Sequence, residues 1–553
     1  MEKIDIIAFK YALQNALKYN GKAQPGSVIG KILKEHQWAK KDLSLLKDTV
    51  NNAVIRVNSM SLIEQQKTLS QIAPELLETK QKEQDLFAFL DIKGGVVTAF
   101  PPEPSKYPHI GHAKAILLNY ELAKRHNGRF ILRFEDTNPT LAKEEYYLIH
   151  EENYAWLGVN PDMICYVSDY VEDMYRMAER LISKGQAYVC FCALEKMREN
   201  RANGVSCECR EQNMSLELWQ RLFKLPEGEA VLRAKIDMLH QNTSMRDPTL
   251  FRIIDAPHPR TGKRFRVWPT YDFENAFMDG MQNVTVRLRS KEFELRNELQ
   301  RYLQGVMGFK STKIFEFGRL NLAGVPSSGR IIREMIEKKE LLGWDDPALT
   351  TIVALRRRGF LAEAIKSFVF STGISKAEAT LTWEDLYVHN RRLVDKTAVR
   401  YFFLPEPVEI KILGSPAQKI RLKKHPEQPE KGYREYNVRD RFLLAKTDFD
   451  SLEEGNLYRL MDCLNFRKEG NSFVFDSLEY EKYKKEGSRI MHFVPVIDGV
   501  VDVKIIMPDK KVVTGVGEPM LSDIGENEVV QLERVGFAKL DSKKDMTFWY
   551  THP

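Results

Sequence analysis

Cysteine is scarce in this chain and unevenly placed, with six among 553 residues. Cys165 and Cys463 stand alone, while Cys190, Cys192, Cys207 and Cys209 cluster. So few cysteines exclude a disulfide framework and match a reducing compartment with one candidate metal site. Long apolar runs are missing too. No stretch has the length of a membrane span, and the opening Met1-Glu2-Lys3-Ile4-Asp5 begins a charged amphipathic segment, not a secretory signal. The expectation is a cytoplasmic protein with no membrane partner. Charge of one sign is also lacking: 83 Lys and Arg face 77 Asp and Glu, for a net charge of +6. That balance permits a nucleic-acid partner without requiring one. The length exceeds one hydrophobic core, so about three to five domains are expected.

The most informative stretch runs from Phe100 to Asn138. It starts at the end of an apolar strand, Gly95 to Phe100, and passes through a proline-broken turn holding His109 and His112. Ala113, Ile116, Leu117, Tyr120 and Ala123 then recur at helical spacing, Gly128 stands as the helix stop, and Arg129–Phe134 reads as a second strand. A strand–turn–helix–strand unit puts free backbone N–H groups and the helix dipole at its turn, which is an anion site. Two histidines and the Gly111 amide there can converge on one phosphate, supplying donors already in place for transition-state charge. The plainer reading is that both histidines only cap the helix.

Residues 1–90 read as helical, with Ile6, Phe9, Leu13, Ala16 and Leu17 as an apolar stripe. Gly21 and Pro25-Gly26 break it, a second helix starts at Ser27, and Ser61 with Glu64 forms a capping box. Lys80 to Asp91 reads as a linker. Helices are expected at 144–157, 171–184 and 292–307, and strands at 229–235, 284–288 and 313–317. A turn is expected at Arg246-Asp247-Pro248, and Trp268 to Phe273 returns the chain to the sheet. The two Cys-x-Cys pairs could supply four thiolates to a tetrahedral zinc, structural because no coordination position stays open; the alternative is four reduced thiols. Residues 331–395 read as helical and basic, with Arg356, Arg357, Arg358, Arg391 and Arg392. Beyond Tyr401, short alternating runs divided by Gly, Pro and Asn signal an all-β sandwich or barrel carrying a basic patch, Lys419, Arg421, Lys423, Lys424 and His425.

Pro108-His109-Ile110-Gly111-His112-Ala113-Lys114-Ala115, preceded by Phe100-Pro101-Pro102-Glu103-Pro104-Ser105 and followed by Arg133-Phe134-Glu135-Asp136-Thr137-Asn138-Pro139, resembles the class I glutamyl- and glutaminyl-tRNA synthetases. Trp268 to Phe273, Phe317 to Leu322, Gly343 to Pro347 and Arg356 to Gly359 resemble the same group in the same order. The N-terminal helices and paired Cys-x-Cys resemble the archaeal glutamyl type. The fold this implies is a multidomain α/β chain. It comprises a helical N-terminal extension (1–90), a class I Rossmann-type catalytic domain in two halves (91–186 and 266–325), an inserted acceptor-binding domain with the candidate zinc site (187–265), a signature loop with a helical stem-contact domain (326–398), and anticodon-binding β-barrels (399–553).

The implied reaction is ATP-dependent attachment of glutamate to tRNA(Glu) through glutamyl-adenylate, with Mg²⁺ on the ATP phosphates and tRNA(Gln) left open as a second substrate. The chain is expected to act as a monomer. His109, His112 and Arg330 take the catalytic positions. Glu103, Pro104, Ser105, Gly111, Ser290, Arg319, Leu320, Ser327, Ser328 and Gly329 join the histidines at the ATP, and Glu135 and Tyr271 hold glutamate. Cys190, Cys192, Cys207 and Cys209 hold the metal. For the arginine run the readings are a solvated face or a tRNA-stem contact. Ala99 stands where the family has an arginine reading the substrate side chain, Gly329 where it has an ATP-contacting lysine, Lys106 for a glycine, Pro108 for a leucine and Val286 for a histidine. On this pattern Ala99→Arg and Gly329→Lys should each raise activity. The alternatives are a glutaminyl enzyme or a catalytically impaired tRNA-binding paralogue.

Overall fold

The computed structural model describes residues 4–19, 21–36, 38–39, 42–73, 76, 86–90, 92, 94–378 and 381–553. The expected linker, Lys80 to Asp91, lies mostly outside them. Contacts divide the chain into two compact units, Met1–Leu90 and Asp91–Pro553.

Among the described residues the first unit has the α-helices α1 (Ile4–Lys18), α2 (Pro25–Glu35), α3 (Leu43–Asn58) and α4 (Leu62–Ile72). The face α1 buries is turned from the expected one. Ile7, Ala8, Tyr11, Ala12, Leu13 and Ala16 are buried, and Ile6 is 46% exposed. The reason is that α1 packs against α2, α3 and α4 together, so it buries two neighbouring ridges instead of one stripe. Pro25 opens α2 instead of breaking the chain before it, since its missing N–H is one that no first-turn residue needs. Ser61 and Glu64 form the capping box at α4.

The second unit starts with β1 (Val97–Phe100), α5 (Ile110–Arg125), β2 (Arg129–Phe134), α6 (Glu144–Trp156), β3 (Met163–Tyr166) and α7 (Val171–Ser183). The three strands are parallel, in order β1-β2-β3. The residue ending α5 in left-handed backbone is Asn127, φ 48°, and not Gly128. Gly128 serves another need: its amide donates to Ala123 O at 2.8 Å, and a Cβ on it would lie 2.1 Å from Val96 O. Glycine is there for close approach.

Next come β4 (Ala187–Cys190), three short helices α8 (Leu194–Asn203), α9 (Cys209–Gln212) and α10 (Leu216–Leu222), then β5 (Val231–Ala234), β6 (Thr249–Ile253) and β7 (Val267–Pro269). The four strands form one antiparallel sheet of their own, β4-β5-β6-β7. Trp268 therefore belongs to this sheet and not to the parallel one, and Tyr271 already starts a helix, α11 (Tyr271–Met281). The chain then rejoins the parallel layer through β8 (Val286–Ser290), α12 (Arg296–Met307) and β9 (Lys313–Phe317). The Thr285 amide donates to Val97 O at 2.9 Å, setting β8 beside β1. Buried Asp279 on α11 accepts from Arg133 of β2 at 2.8 Å and Arg287 of β8 at 3.1 Å, tying three elements below the strand ends.

Helices α13 (Gly329–Glu337), α14 (Ile352–Arg358), α15 (Ala362–Ser371) and α16 (Trp383–Val394) lead to the β-rich remainder. That region holds two seven-stranded sheets with interleaved connectivity. Arg400–Tyr401 and Phe403–Pro405 join the sheet completed by 501–552, and the other sheet is built from residues between them. The arginine run is divided: Arg356 and Arg392 are exposed, whereas Arg357 and Arg358 turn to the β-rich region. Arg358 is fully buried, donating to Pro347 O, Tyr550 O, Thr551 O and Tyr387 OH. Arg357 pairs with Asp345 and Asp541. Two of the three arginines fasten α14 to the β-rich region. Within the expected basic patch, Lys419 and Arg421 pair with Glu435, and buried His425 donates to Asp395 O at 2.9 Å. Lys423 remains exposed.

Candidate functional site

A cavity of about 510 Å³ opens at the C-terminal ends of β1, β2 and β8. Its first wall is the turn into α5. His109 is the N-cap, and its Nδ1 accepts the Gly111 amide at 3.0 Å. The His112 Nδ1 accepts the His109 amide at 3.2 Å. Because each Nδ1 is an acceptor, each ring carries its proton on Nε2. Burial, with Lys106, His150 and Arg319 nearby, pushes His109 down to about 3. Burial and then His109 hold His112 well below its ordinary value. At neutral pH both rings are neutral Nε2–H donors facing the cavity. The Gly111 amide, expected to meet phosphate, is already engaged. Glycine is needed because a Cβ there would lie 2.8 Å from His109 Cε1.

The second wall is the Glu135 end. Asp136 is turned inward, accepting from Tyr147 OH and from the Ser168 amide and hydroxyl. This fixes the loop after β2 and leaves Glu135 lining the cavity. Its Oε1 is buried without a hydrogen-bond partner. Burial lifts its carboxyl to about 8, against the pull of Arg287 and Arg133. Tyr271, Arg287 and Arg289 close this end. Arg289 is 5% exposed, and its partners are Asn297, Gln300 at 2.9 Å and Tyr271 OH at 3.4 Å, all neutral. Asp279 reaches this buried guanidinium only through Gln300, and among the described residues no carboxylate pairs with it, which favours an anionic ligand.

Sequence reasoning missed Arg287 and Arg289. The only signal was the strand Val286-Arg287-Leu288-Arg289, whose two alternate arginines a half-buried sheet would point to one face. They bear on Ala99, which is 1% exposed within the cluster containing Ile131 and Cys165 and does not line the cavity. With Thr285 beside Val97, Arg287 and Ala99 sit level on neighbouring strands. An arginine at 99 would enter ground that Arg287 already charges, so the expected gain from Ala99→Arg is withdrawn.

Of the residues expected at ATP, Glu103, His109, Gly111, His112, Ser290, Arg319, Leu320, Ser327, Ser328 and Gly329 line the cavity. Pro104 and Ser105 do not: the Ser105 hydroxyl donates to Glu103, and its carbonyl accepts from Arg333 of α13 at 2.8 Å. Arg319 pairs with Glu292. Arg330 is 82% exposed, turned along α13 toward Glu334 and away from the cavity. It occupies the outward side of the first helical turn, so the structure does not bring it to the histidines.

Away from this cleft, the ligand atoms of Cys190, Cys192, Cys207 and Cys209 all lie within 4.8 Å of one another, with the Cys190 and Cys207 sulfurs 3.9 Å apart. A tetrahedral Zn–S bond of about 2.3 Å requires sulfurs about 3.8 Å apart, so the four fit zinc. Arg233 Nη1 lies 3.8 and 3.9 Å from Cys190 and Cys207 Sγ and offsets part of the thiolate charge.

Residues 95–396 match the model for the catalytic domain of class I (E and Q) tRNA synthetases, and residues 398–494 match the anti-codon binding domain of the same group. The glutamate–tRNA ligase of Methanothermobacter thermautotrophicus is 38% identical over 558 residues, covering all of both chains. That of Pyrococcus abyssi is 39% identical over 559 residues, covering 98% of this chain and 97% of its own. That of Korarchaeum cryptofilum is 37% identical over 578 residues and again covers both chains whole. With these matches along its whole length, the chain belongs to the class I (E and Q) tRNA synthetases.

Proposed function

We propose that the chain is an ATP-dependent glutamate–tRNA ligase. One observation carries the choice of amino acid: the inner end of the cavity offers a buried carboxyl oxygen without a hydrogen-bond partner, on Glu135, and a guanidinium whose hydrogen-bond partners among the described residues are neutral, on Arg289. An amino acid with an ammonium group at one end and a side-chain carboxylate at the other complements both. A carboxamide would leave Arg289 uncompensated, which argues against glutamine. In the first step the glutamate α-carboxylate attacks the α-phosphorus of ATP, which arrives with Mg²⁺, and pyrophosphate leaves. The Nε2–H groups of His109 and His112 donate to the phosphoryl oxygens as charge grows on them. A ribose hydroxyl at the tRNA terminus then takes the acyl group and AMP departs.

Zinc held by Cys190, Cys192, Cys207 and Cys209 would brace the sheet β4-β5-β6-β7 without entering the reaction. We place the enzyme in the cytoplasm as a monomer; no helix among the described residues is long and apolar enough to cross a membrane. Aminoacylation of purified tRNA(Glu) and tRNA(Gln) with labelled glutamate or glutamine tests the reading. Glutamate on tRNA(Glu) is the expected product, and charging of tRNA(Gln) with glutamate would extend it to a second acceptor. Preference for glutamine would overturn it, and tRNA binding without charging would favour an impaired paralogue.

A further inference from the structure

The phosphate end of the cavity has an unusual pairing. A Cβ on Gly329 would lie 2.8 Å from Lys106 Cδ, 3.3 Å from its Cβ and 3.6 Å from its Cγ. The Lys106 stem thus fills the space beside Gly329, and a side chain at 329 would have to displace it. Gly329 stands where the resemblance places an ATP-contacting lysine, and Lys106 stands where it places a glycine. The two departures are in contact.

We propose that Lys106 supplies the ammonium that meets the ATP phosphates, moved from the second loop to the first, with Gly329 as the vacancy that admits it. This rests on the ligase reading above. Lys106 lines the cavity with His109 and His112. Among the described residues no ion pair engages its ammonium, whereas Arg319 is paired with Glu292 and Arg330 turns outward. Its backbone is held from behind: His150 Nε2 donates to Lys106 O at 2.8 Å, and Tyr154 OH donates to His150 Nδ1 at 2.8 Å. Arg333 clamps the adjacent Ser105 carbonyl, so the first loop and α13 are joined where the lysine passes. Ser328, the N-cap of α13, uses no side-chain cap, which leaves the opening amides of that helix beside the same space. Burial, opposed by nearby Glu103 and aided by Arg333 and Arg319, holds the Lys106 pKa below its ordinary value, so a polyanion there relieves a partly desolvated cation.

The test is a reciprocal swap in the full chain, read by glutamate- and tRNA-dependent ATP–pyrophosphate exchange and by ATP against adenosine affinity. Lys106→Met should lower exchange by about 10²-fold, the typical loss of one transition-state donor, and should weaken ATP but not adenosine. Gly329→Lys alone should lower exchange, against the gain expected from the family pattern, because the new side chain displaces Lys106. Lys106→Gly combined with Gly329→Lys should recover most of the wild-type rate, which a merely structural lysine would not allow. Exchange within about twofold of wild type in Lys106→Met, equal loss of ATP and adenosine binding, or a double variant no better than Lys106→Met would overturn the proposal while leaving the ligase reading intact. Wild-type protein without exchange would instead overturn the ligase reading and this proposal together.

Discussion

Replacing Arg289 with methionine removes the guanidinium but keeps much of its apolar stem. Its Nε and Nη2 hold Asn297 and one Nη1 bond holds Gln300, so the remaining donor capacity toward Tyr271 is what a ligand carboxylate can use. Truncating one partner of a buried hydrogen-bonded charge pair costs about 2–5 kcal/mol. Part of the Arg289 fork is committed to the protein, which argues for the middle of that range, roughly 3 kcal/mol. At 1.4 kcal/mol per decade this is about 150-fold in kcat/KM for glutamate. Exchange kinetics with glutamate and with glutamine separate specificity from damage, and thermal melts confirm that the variant folds. The expected outcome is a loss confined to glutamate, with the KM for ATP unchanged within about threefold. An equal loss for both amino acids, or a loss below about fivefold, would refute the assignment of Arg289 to the side-chain carboxylate.

Arg358→Met leaves three buried carbonyls and a tyrosine hydroxyl without their donor. It should cost about 3–5 kcal/mol and show a lower urea midpoint with early tryptic release of the β-rich region; an unchanged midpoint would count against the fastening role. Glu135 has its folded-state carboxyl raised to about 8 from 4.5, so its contribution to stability is whole below pH 4.5 and lost as pH rises through 8. Glu135→Gln should flatten the fall in melting temperature across that window, and in wild type glutamate kcat/KM should rise toward pH 8 as the carboxylate forms. A flat wild-type profile would be the contrary result. Metal analysis should find one zinc per chain, and Cys207→Ser or chelation should lower the melting temperature of the region 187–269 without abolishing ATP binding; full stability after chelation would remove the metal.

Periodicity and motif order made the strands and helices around His109 legible, because strand β2 and helix α5 each obey their local pattern. The capping box at Ser61 was legible for the same reason: its two partners lie three residues apart. What could not be read were long-range partnerships. Arg358 looks like a surface arginine until residues 550 and 551 arrive to bury it. Gly128 and Gly329 look like a helix stop and a lost lysine, yet each is glycine because something distant in sequence, Val96 or Lys106, passes close by. Arg287 and Arg289 were hidden because a strand's alternation gives the face but not whether that face is core or cleft. The trio at 356–358 shows the same limit, since charge density alone does not separate a patch for RNA from a bolt between domains.

That bolt has a bearing on how the polypeptide matures on the ribosome. The sheet begun by Arg400–Tyr401 and Phe403–Pro405 waits for its remaining strands until Val501 to His552 have been synthesised. Two of the three carbonyls that accept Arg358, those of Tyr550 and Thr551, belong to the last of them. Until that strand has been synthesised, the guanidinium of Arg358 has Pro347 O and Tyr387 OH as partners but lacks the two carbonyls that tie its helix to the sheet. The catalytic half can therefore be complete while its link to the RNA-reading half is still open, and a nascent chain stalled a few codons short would resemble a finished enzyme with a loose hinge.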